Sequence, residues 1–251
     1  MDFCTRYCEQ FAVPLQVSRI QVPRNSPEGL EAAARRLRYA ILDAHPADHV
    51  LLGHHADDQA ETLLLNLLRG AGVRGAAAML PVHDSEKRYH RPMLAHPRQE
   101  LEAYAALSKL HWVDDESNTD ISLSRNYIRH QVMPVLQSRF PSAVQNLARS
   151  AEHFAEAQEM LDILALQDLG EHPPAFPVPV SLLSTLNEPR ARNVMRYLLA
   201  ASGLQSPSSK RLNEALRQFI AAAPDRHPSL ILPAYVLRRV KGQIVLELPY
   251  S

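Results

Sequence analysis

Apolar residues recur every three to four positions in several stretches of the chain and form short runs or alternate with polar residues between them. The first half of this pattern predicts a helix over 2–12, a strand over 15–22, a helix over 28–44, a strand over 49–53 and a helix over 57–68. Strands that alternate with helices favour a parallel sheet with helical crossovers. The glycines make neither a Gly-x-Gly-x-x-Gly loop nor a Walker loop behind a strand.

The pattern continues through the second half of the chain. It predicts a strand over 88–94, a helix over 97–110, a short strand over 111–113, an acidic turn over 114–118, a helix from 124 to about 134 and a long helix over 142–169. Four prolines between Gly170 and Val180 indicate a linker. Helices over 189–201 and 209–223 and strand-like runs over 230–232, 235–240 and 244–248 follow.

These elements predict two domains of different class. We expect an α/β domain with a parallel sheet over residues 1–140, the long helix and linker over 141–180, and a small α+β domain over 181–251. The helices of the second domain carry Arg190, Arg192, Arg196, Lys210, Arg211 and Arg217. These side chains make either a solvated face or a surface for RNA.

Composition narrows the class of protein further. The 27 basic and 27 acidic residues balance, so the net charge does not indicate a polyanionic partner. However, 23 of the basic residues are arginine, whose planar guanidinium can bind phosphate or carboxylate through two hydrogen bonds. No apolar run is long enough to span a bilayer and no secretory signal opens the chain. Cys4 and Cys8 lack partners for a zinc site, so we expect free thiols in the cytoplasm.

Acidic and imidazole side chains are concentrated where the strand over 49–53 gives way to the helix over 57–68. Asp57, Asp58 and Glu61 follow His54 and His55. Asp58 and Glu61 have the spacing of a capping box, but one helical turn needs a single cap. Because both would point the same way, they suit an ammonium group or Mg²⁺. We take Asp57, Asp58 and Glu61 as catalytic candidates, His55 as a binding candidate and Asp58 as a candidate Mg²⁺ ligand.

A metal-dependent hydrolase is the alternative interpretation of this cluster. His54, His55, Asp57 and Asp58 would then hold catalytic metals. Such a site needs further ligands from other strands, and the remaining histidines show no ligand-like spacing.

Four ordered motifs resemble those of the tRNA(Ile)-lysidine synthetases, a family of PP-loop ATP pyrophosphatases. They are Glu31–Tyr39, of the form E-x-x-A-R-x-x-R-Y; His54–Thr62 with Leu67–Gly72; Arg91–Leu94 with Trp112–Asn118; and Arg125–Arg129 with Pro134. The resemblance is strongest over residues 28–136. It implies an adenine-nucleotide α-hydrolase-like first domain, and residues 185–248 resemble the family's substrate-binding domain, which grips the tRNA.

The resemblance implies a reaction and a set of site residues. ATP adenylates the C2 oxygen of the wobble cytidine, position 34 of tRNA(Ile) with a CAU anticodon, and the ε-amine of L-lysine then attacks C2. The codon read changes from AUG to AUA. Asp58 and Glu61 match the carboxylates for the lysine ammonium, and Mg²⁺ accompanies ATP. Candidates for the lysine, ATP and tRNA contacts are Arg35, Arg38, Arg69, Arg125, Asn126 and Arg129, although Arg125 and Arg129 could instead pair with Asp114, Asp115 or Glu116. A homodimer is also expected.

The sequence departs from the family at both ends. The Ser-Gly-Gly-x-Asp-Ser loop that cradles the ATP phosphates is absent, with its strand, and so is the additional C-terminal domain of longer members. We therefore expect the first β-loop-α unit to be missing and the isolated chain to show little ATP–pyrophosphate exchange. A tRNA-binding remnant without catalysis is one alternative, and a thiolation enzyme of the same superfamily is a weaker one.

Overall fold

The computed structural model describes residues 2–23, 25–26, 29–84, 88–113, 119–223 and 225–248. It divides the chain into two units, residues 1–155 and 156–251. The acidic turn predicted over 114–118 lies outside the described residues, as do the first residues of the helix predicted from Glu28. Along the described ranges, none of the helices is both long and apolar enough to cross a lipid bilayer.

Unit 1 mixes helices with short strands. Its described helices are α1 (Asp2–Gln10), α2 (Leu30–Ala44), α3 (Ala56–Leu68), α4 (Val73–Ala76), α5 (Arg98–Leu107), α6 (Ser124–Tyr127) and α7 (Met133–Arg139), with a π-helical turn, Ile128–Val132, between α6 and α7. Its described strands are β1 (His49–Leu51), β2 (Val82–Asp84) and β3 (Arg88–His90). Helix α8 (Ala143–Leu169) begins in unit 1 and ends in unit 2.

The sheet of unit 1 has the order β1-β3-β2, in which β1 and β3 are parallel and β2 is antiparallel to β3. The chain between the parallel strands includes α3 and α4, as a helical crossover requires. Tyr89 of β3 is buried and donates a hydrogen bond of 2.5 Å to Asp43 of α2. Burial and this carboxylate raise the pKa of Tyr89 to about 12. The predicted α/β class is confirmed.

Two of the predicted strands are wrong. Residues 13–23 and 111–113 form neither helix nor strand, and apart from Val22 they are exposed. Alternating apolar and polar positions are compatible with a strand, but a strand also needs a neighbour that accepts its backbone hydrogen bonds, and the described residues provide none for these segments. Conversely, the sequence pattern did not predict β2, which is only three residues long.

Helix α3 is fixed against the segment that precedes β2 by a buried amide. Gln59 donates from Nε2 to the Met79 carbonyl at 2.8 Å, and its Oε1 accepts the Met79 N–H at 3.0 Å. Both residues are buried. The amide therefore satisfies two backbone groups that water cannot reach, and it holds the first turns of α3 in place. Ala56 and Ala60 on the same helix pack with Ile128 and Met133 in a buried cluster.

Unit 2 is a small α+β arrangement. It contains α9 (Val180–Thr185), α10 (Glu188–Ala201), α11 (Ser209–Ala221), β4 (Val178–Pro179), β5 (Ser229–Leu232), β6 (Tyr235–Val240) and β7 (Gln243–Glu247) among its described residues. The sheet is antiparallel, in the order β4-β7-β6-β5. Lys241 and Gly242 join β6 to β7 with φ angles of 50° and 76°, as a tight type I′ hairpin requires. The predicted turn and the predicted α+β class are confirmed.

Helices α10 and α11 cover one side of this unit's core. Each has a capping side chain, since Asn187 accepts the Arg190 N–H at 3.1 Å and Ser208 accepts the Arg211 N–H at 3.5 Å. Fully buried leucines from both helices, Leu198 among them, pack with Leu237 and Ile244 of the sheet. This packing fixes which faces of α10 and α11 point to solvent.

We predict that Gln59→Leu lowers the free energy of unfolding by about 1–3 kcal/mol for each Met79 backbone group that it leaves buried and unpaired. Urea unfolding followed by circular dichroism measures this change. The control is Gln99→Leu on α5, where the glutamine is exposed and the expected change is within about 0.5 kcal/mol. Equal stability of the two variants would contradict the prediction.

Candidate active site

The candidate site begins where β1 ends and α3 starts. The Leu52 N–H donates to the His90 carbonyl at 2.8 Å, and the Ala56 N–H donates to the His96 carbonyl at 2.9 Å. These bonds fix both ends of the four-residue connection between β1 and α3. Polar side chains at the C-terminal end of a sheet strand and the start of the next helix are well placed to meet a ligand.

Four charged side chains converge on the first turns of α3. Arg125 donates from Nε to Glu61 Oε2 and from Nη2 to Asp58 Oδ1, both at 2.9 Å. Arg129 donates from Nε to Glu61 Oε1 at 2.7 Å and from Nη2 to Asp58 Oδ1 at 3.1 Å. We call Asp58, Glu61, Arg125 and Arg129 the charge cluster. It joins two of the sequence motifs, which lie more than 60 positions apart.

Burial makes the ion pairs of the charge cluster costly to break. The Glu61 side chain is only 2% exposed and that of Asp58 11%, while the two arginines are 24% and 21% exposed. Charged groups withdrawn from water are stable only when they are paired and hydrogen-bonded, and loss of one partner from a buried pair costs about 3–5 kcal/mol. Burial alone would lower the pKa of Arg129, but the hydrogen bond and charge of Glu61, with Asp58, raise it above its ordinary value.

The backbone around the two arginines explains how they reach α3. Arg125 lies in α6 and Arg129 in the π-helical turn that follows, four positions later. Residues four apart share one helix face, and the small side chains of Ala56 and Ala60 lie in the cluster that Ile128 and Met133 complete. Short side chains on α3 let the second segment come close. A π-helical turn at this position is a feature frequently found at functional sites.

Asp58 also has the capping role that its position predicts. Its Oδ2 accepts the His55 N–H at 3.0 Å, while Oδ1 belongs to the charge cluster. One carboxylate therefore caps the helix and binds arginine at once. The two interpretations of this residue, cap and site, are compatible in the structure.

Asp57 points in another direction and interacts with a different helix. Its Oδ2 accepts the Arg98 N–H, at the start of α5, at 2.7 Å, and lies 3.6 Å from His55 Nδ1. Burial tends to raise the pKa of Asp57, but the His55 ring and the Arg98 N–H favour the charged form and hold the pKa below its ordinary value. Asp57 therefore remains ionised at neutral pH and fixes α5 to the start of α3.

His54 is a neutral histidine beside the charge cluster. Burial, together with the charges of Arg91, Arg125 and Arg35, lowers its pKa to about 4, although Asp58 opposes the shift. Its Nδ1 is buried and has no hydrogen-bond partner among the described residues. An uncharged ring with an unused nitrogen can take part in hydrogen bonding to a ligand.

A second group of arginines lies near His54. Arg91 is buried and donates from Nη1 to the Leu80 carbonyl at 2.7 Å, while its Nη2 lies 3.5 Å from the Tyr39 hydroxyl. The guanidinium of Arg35 lies 4.9 Å from the centre of the Tyr39 ring and that of Arg38 5.7 Å. Both distances suit cation–π contacts. The positive charges of Arg91 and Arg35 contribute to the lowered pKa of His54.

The remaining predicted site residues are placed differently. Arg69 follows the end of α3, about 17 Å along the helix from Asp58 at 1.5 Å per residue, and is exposed. Asn126 is buried and donates to the Asp120 carbonyl at 3.0 Å. The structure brings neither side chain into the charge cluster, so their binding roles stay predictions. Arg91 was not among the predicted site residues, and its place in the Arg91–Leu94 motif was the only signal in the sequence that could have identified it.

The described residues do not form a metal site. Among them, no group of three or more His, Cys, Asp and Glu side chains is close enough to hold an ion. Asp58, the predicted Mg²⁺ ligand, faces two guanidiniums, and a divalent cation there would meet like charge. The Mg²⁺ role of Asp58 therefore stays a prediction, and nothing in the described residues favours a metal-dependent hydrolase.

Two family models match the chain in the order of its two units. A PP-loop domain matches residues 1–136, and a TilS substrate-binding domain matches residues 179–245. The first match covers more than half of the chain and includes the whole charge cluster. The second covers α10, α11, β5 and β6 and part of β4 and β7.

Curated relatives agree with both matches. The chain is 43% identical over 246 residues, or 96% of its length, to tRNA(Ile)-lysidine synthase from Nitrosomonas europaea. It is 44% identical over 250 residues, or 97% of its length, to the tRNA(Ile)-lysidine synthase from Alkalilimnicola ehrlichii. The one from Coxiella burnetii is 36% identical over 98% of the chain. The chain spans 54–56% of the length of these relatives.

A solved structure, the U34-tRNA thiolase NcsA from Methanococcus maripaludis, has a TM-score of 0.48 and 18% identity over 62% of this chain and 56% of that one. A likeness at this level carries no argument. The family assignment depends instead on the domain matches and on the identity to the curated relatives. This chain belongs to the PP-loop family, and the relatives that it matches over nearly its whole length are tRNA(Ile)-lysidine synthases.

Proposed function

We propose that this chain provides the lysine site and an RNA-binding part of a tRNA(Ile)-lysidine synthase. The reaction joins the ε-amine of L-lysine to C2 of the wobble cytidine in tRNA(Ile) with a CAU anticodon, at the expense of ATP. The observation that carries the proposal is the charge cluster, in which two buried carboxylates from one motif meet two arginines from another. Sequence identity to the lysidine synthases supports it.

The charge cluster suits a ligand that carries both signs of charge. In the structure each carboxylate is neutralised by guanidinium, so an ammonium group cannot simply be added to it. Lysine brings two ammonium groups and a carboxylate, and the adenylated tRNA brings phosphates. The ammonium can take the place of guanidinium N–H donors on Asp58 and Glu61 while an arginine turns to a carboxylate or phosphate. Such an exchange keeps every buried charge paired.

The chemistry divides into two balanced steps. The C2 oxygen of cytidine attacks the α-phosphorus of ATP, and pyrophosphate leaves. The neutral ε-amine of lysine then forms a bond to C2, the C2–oxygen bond breaks, AMP leaves with that oxygen, and the amine loses its protons. Carboxylates alone would favour the ammonium form and oppose this second step, whereas the guanidiniums of Arg125 and Arg129 reduce that effect.

The groups around His54 fit the adenylated part of the substrate. Arg35, Arg38 and Arg91 offer positive charge to phosphate, and the neutral His54 ring offers a nitrogen without a partner among the described residues. Mg²⁺ would arrive on the ATP phosphates rather than on Asp58. A cytoplasmic location and a homodimer stay predictions.

We predict that Glu61→Gln and Asp58→Asn, each in the full-length enzyme, raise the KM for lysine about 10–100-fold. The reason is the loss of a charge-assisted hydrogen bond worth about 1.5–3 kcal/mol. Lysine incorporation into a tRNA(Ile) transcript measures KM, and tRNA-dependent ATP–pyrophosphate exchange measures adenylation, which we expect within about twofold of the wild type.

The matched control for these variants is Glu102→Gln. Glu102 lies on α5, is half exposed and pairs with Arg98 outside the charge cluster. It should leave both readouts unchanged. An unchanged KM for lysine in the Glu61 and Asp58 variants would contradict the lysine site, and an equal loss of exchange and transfer would show that the carboxylates only stabilise the fold.

We also predict a pH effect from His54. Its pKa of about 4 in the folded chain is below the ordinary value of 6.5, so the unfolded chain binds a proton that the folded chain rejects between those values. The free energy of unfolding should therefore fall as pH decreases from about 6.5 to about 4. His54→Asn should make this fall smaller, as measured by urea unfolding at several pH values, whereas the exposed control His153→Asn should behave as the wild type does. If His54→Asn loses stability with acid as steeply as the wild type, the prediction is wrong.

A further inference from the structure

Helices α10 and α11 are connected on their solvent side by two parallel hydrogen-bonded contacts. Arg192 donates from Nη1 to Asn213 Oδ1 at 2.6 Å, and Arg196 donates from Nη2 to Ser209 Oγ at 2.8 Å. The arginines are four positions apart on α10, and their partners are four positions apart on α11. We call Arg192 and Arg196 the arginine pair.

The arginine pair differs in its contacts from three other arginines of unit 2. Arg190 pairs with Asp168, Arg217 with Glu214 and Arg238 with Glu247. Within the described residues, Arg192 and Arg196 contact neutral oxygens and pair with no carboxylate. Among the described residues, carboxylates therefore neutralise three guanidiniums of unit 2, whereas the arginine pair keeps its positive charge. Arg211 and Arg239 also lack a carboxylate partner among these residues, but they donate to backbone carbonyls rather than to side chains.

Leaving the charges unpaired costs free energy. Arg192 and Arg196 are half-buried, and burial followed by the charge of Arg192 lowers the pKa of Arg196 below its ordinary value. Two like charges on adjacent turns of one helix repel each other. Binding of an anion would reduce the repulsion between the two guanidiniums.

We propose that the arginine pair binds two neighbouring phosphate groups of an RNA backbone. This inference rests on the proposed function only in taking RNA as the ligand. Asn213 and Ser209 each hold one guanidinium nitrogen, which orients the planar fork and leaves its other N–H groups for a phosphate. The two arginines are separated by about 6 Å along the helix. This separation suits binding to successive anionic groups of an extended polymer rather than to one small anion.

The test measures tRNA binding by the 251-residue chain at several salt concentrations. Each lost phosphate contact lowers the slope of log affinity against log salt by about 0.7–0.9. We expect the double variant Arg192→Gln and Arg196→Gln to lower this slope by about 1.4–1.8, as two contacts require, and to weaken binding at low salt roughly tenfold. Circular dichroism and thermal unfolding establish that the variant is folded.

Two control variants separate the site from general charge. Arg217→Gln with Arg238→Gln removes the same amount of charge from arginines that carboxylates already neutralise, so affinity and slope should stay close to the wild type. Ser209→Ala with Asn213→Ala keeps both charges but removes their anchors, so affinity should fall while the slope stays nearly the same. If the Arg217 and Arg238 variant loses as much affinity and salt slope as the arginine-pair variant, net charge alone explains the effect and the proposed site is rejected.

The assay needs neither ATP nor lysine, so its result is independent of the proposed reaction. If the chain binds tRNA and the arginine-pair variant keeps the same salt slope, the site is rejected while the reaction stands. If the wild-type chain binds no RNA even at low salt, the site is rejected as well. If the slope falls as expected but the full-length enzyme transfers no lysine, the site stands and the proposed reaction fails.

Discussion

Two buried carboxylates on α3, Asp58 and Glu61, are each neutralised by Arg125 and Arg129 from the segment around α6. The packing of α3 against this segment in unit 1 brings the four groups together. Arg125 and Arg129 give both Asp58 and Glu61 a hydrogen-bonded partner of opposite charge where these side chains are largely withdrawn from water. The alanines of α3 allow the second segment to approach, and Gln59 fixes the same helix on its other side. The charge cluster therefore joins two segments of unit 1, and we propose that it also forms the site for lysine.

Arginine is used in several ways among the described residues, and the group that it contacts decides what happens to its charge. In the charge cluster it neutralises buried carboxylates. On the surface of unit 2 it pairs with exposed or neighbouring acids, as Arg217 does with Glu214. In the arginine pair it is held by neutral oxygens, so its charge stays available. Because net charge is zero over the whole sequence, only these local differences distinguish a binding surface from a solvated one.

The sequence predicted much of this structure where local chemistry is decisive. Helix periodicity located α3 and α8, and the Lys241-Gly242 pair located a hairpin, because each depends on neighbouring residues. The partners of Asp58 could not be predicted in this way, since the ion pair depends on the approach of a segment 67 positions away. The strand expected over 15–22 was wrong for the same reason: the alternating pattern specifies no hydrogen-bonded neighbour. The resemblance to the lysidine synthetases supplied the family, which the local patterns alone do not specify.

The central claim is that α3 and the α6 segment respond together to the ε-ammonium of lysine. Hydrogen exchange of the backbone amides measures this most directly, with lysine compared against norleucine, which lacks that group. The account predicts that lysine slows or otherwise changes exchange in both 55–62 and 125–132, whereas norleucine at the same concentration changes neither. Identical exchange with the two amino acids, or a response in only one of the two segments, would contradict it.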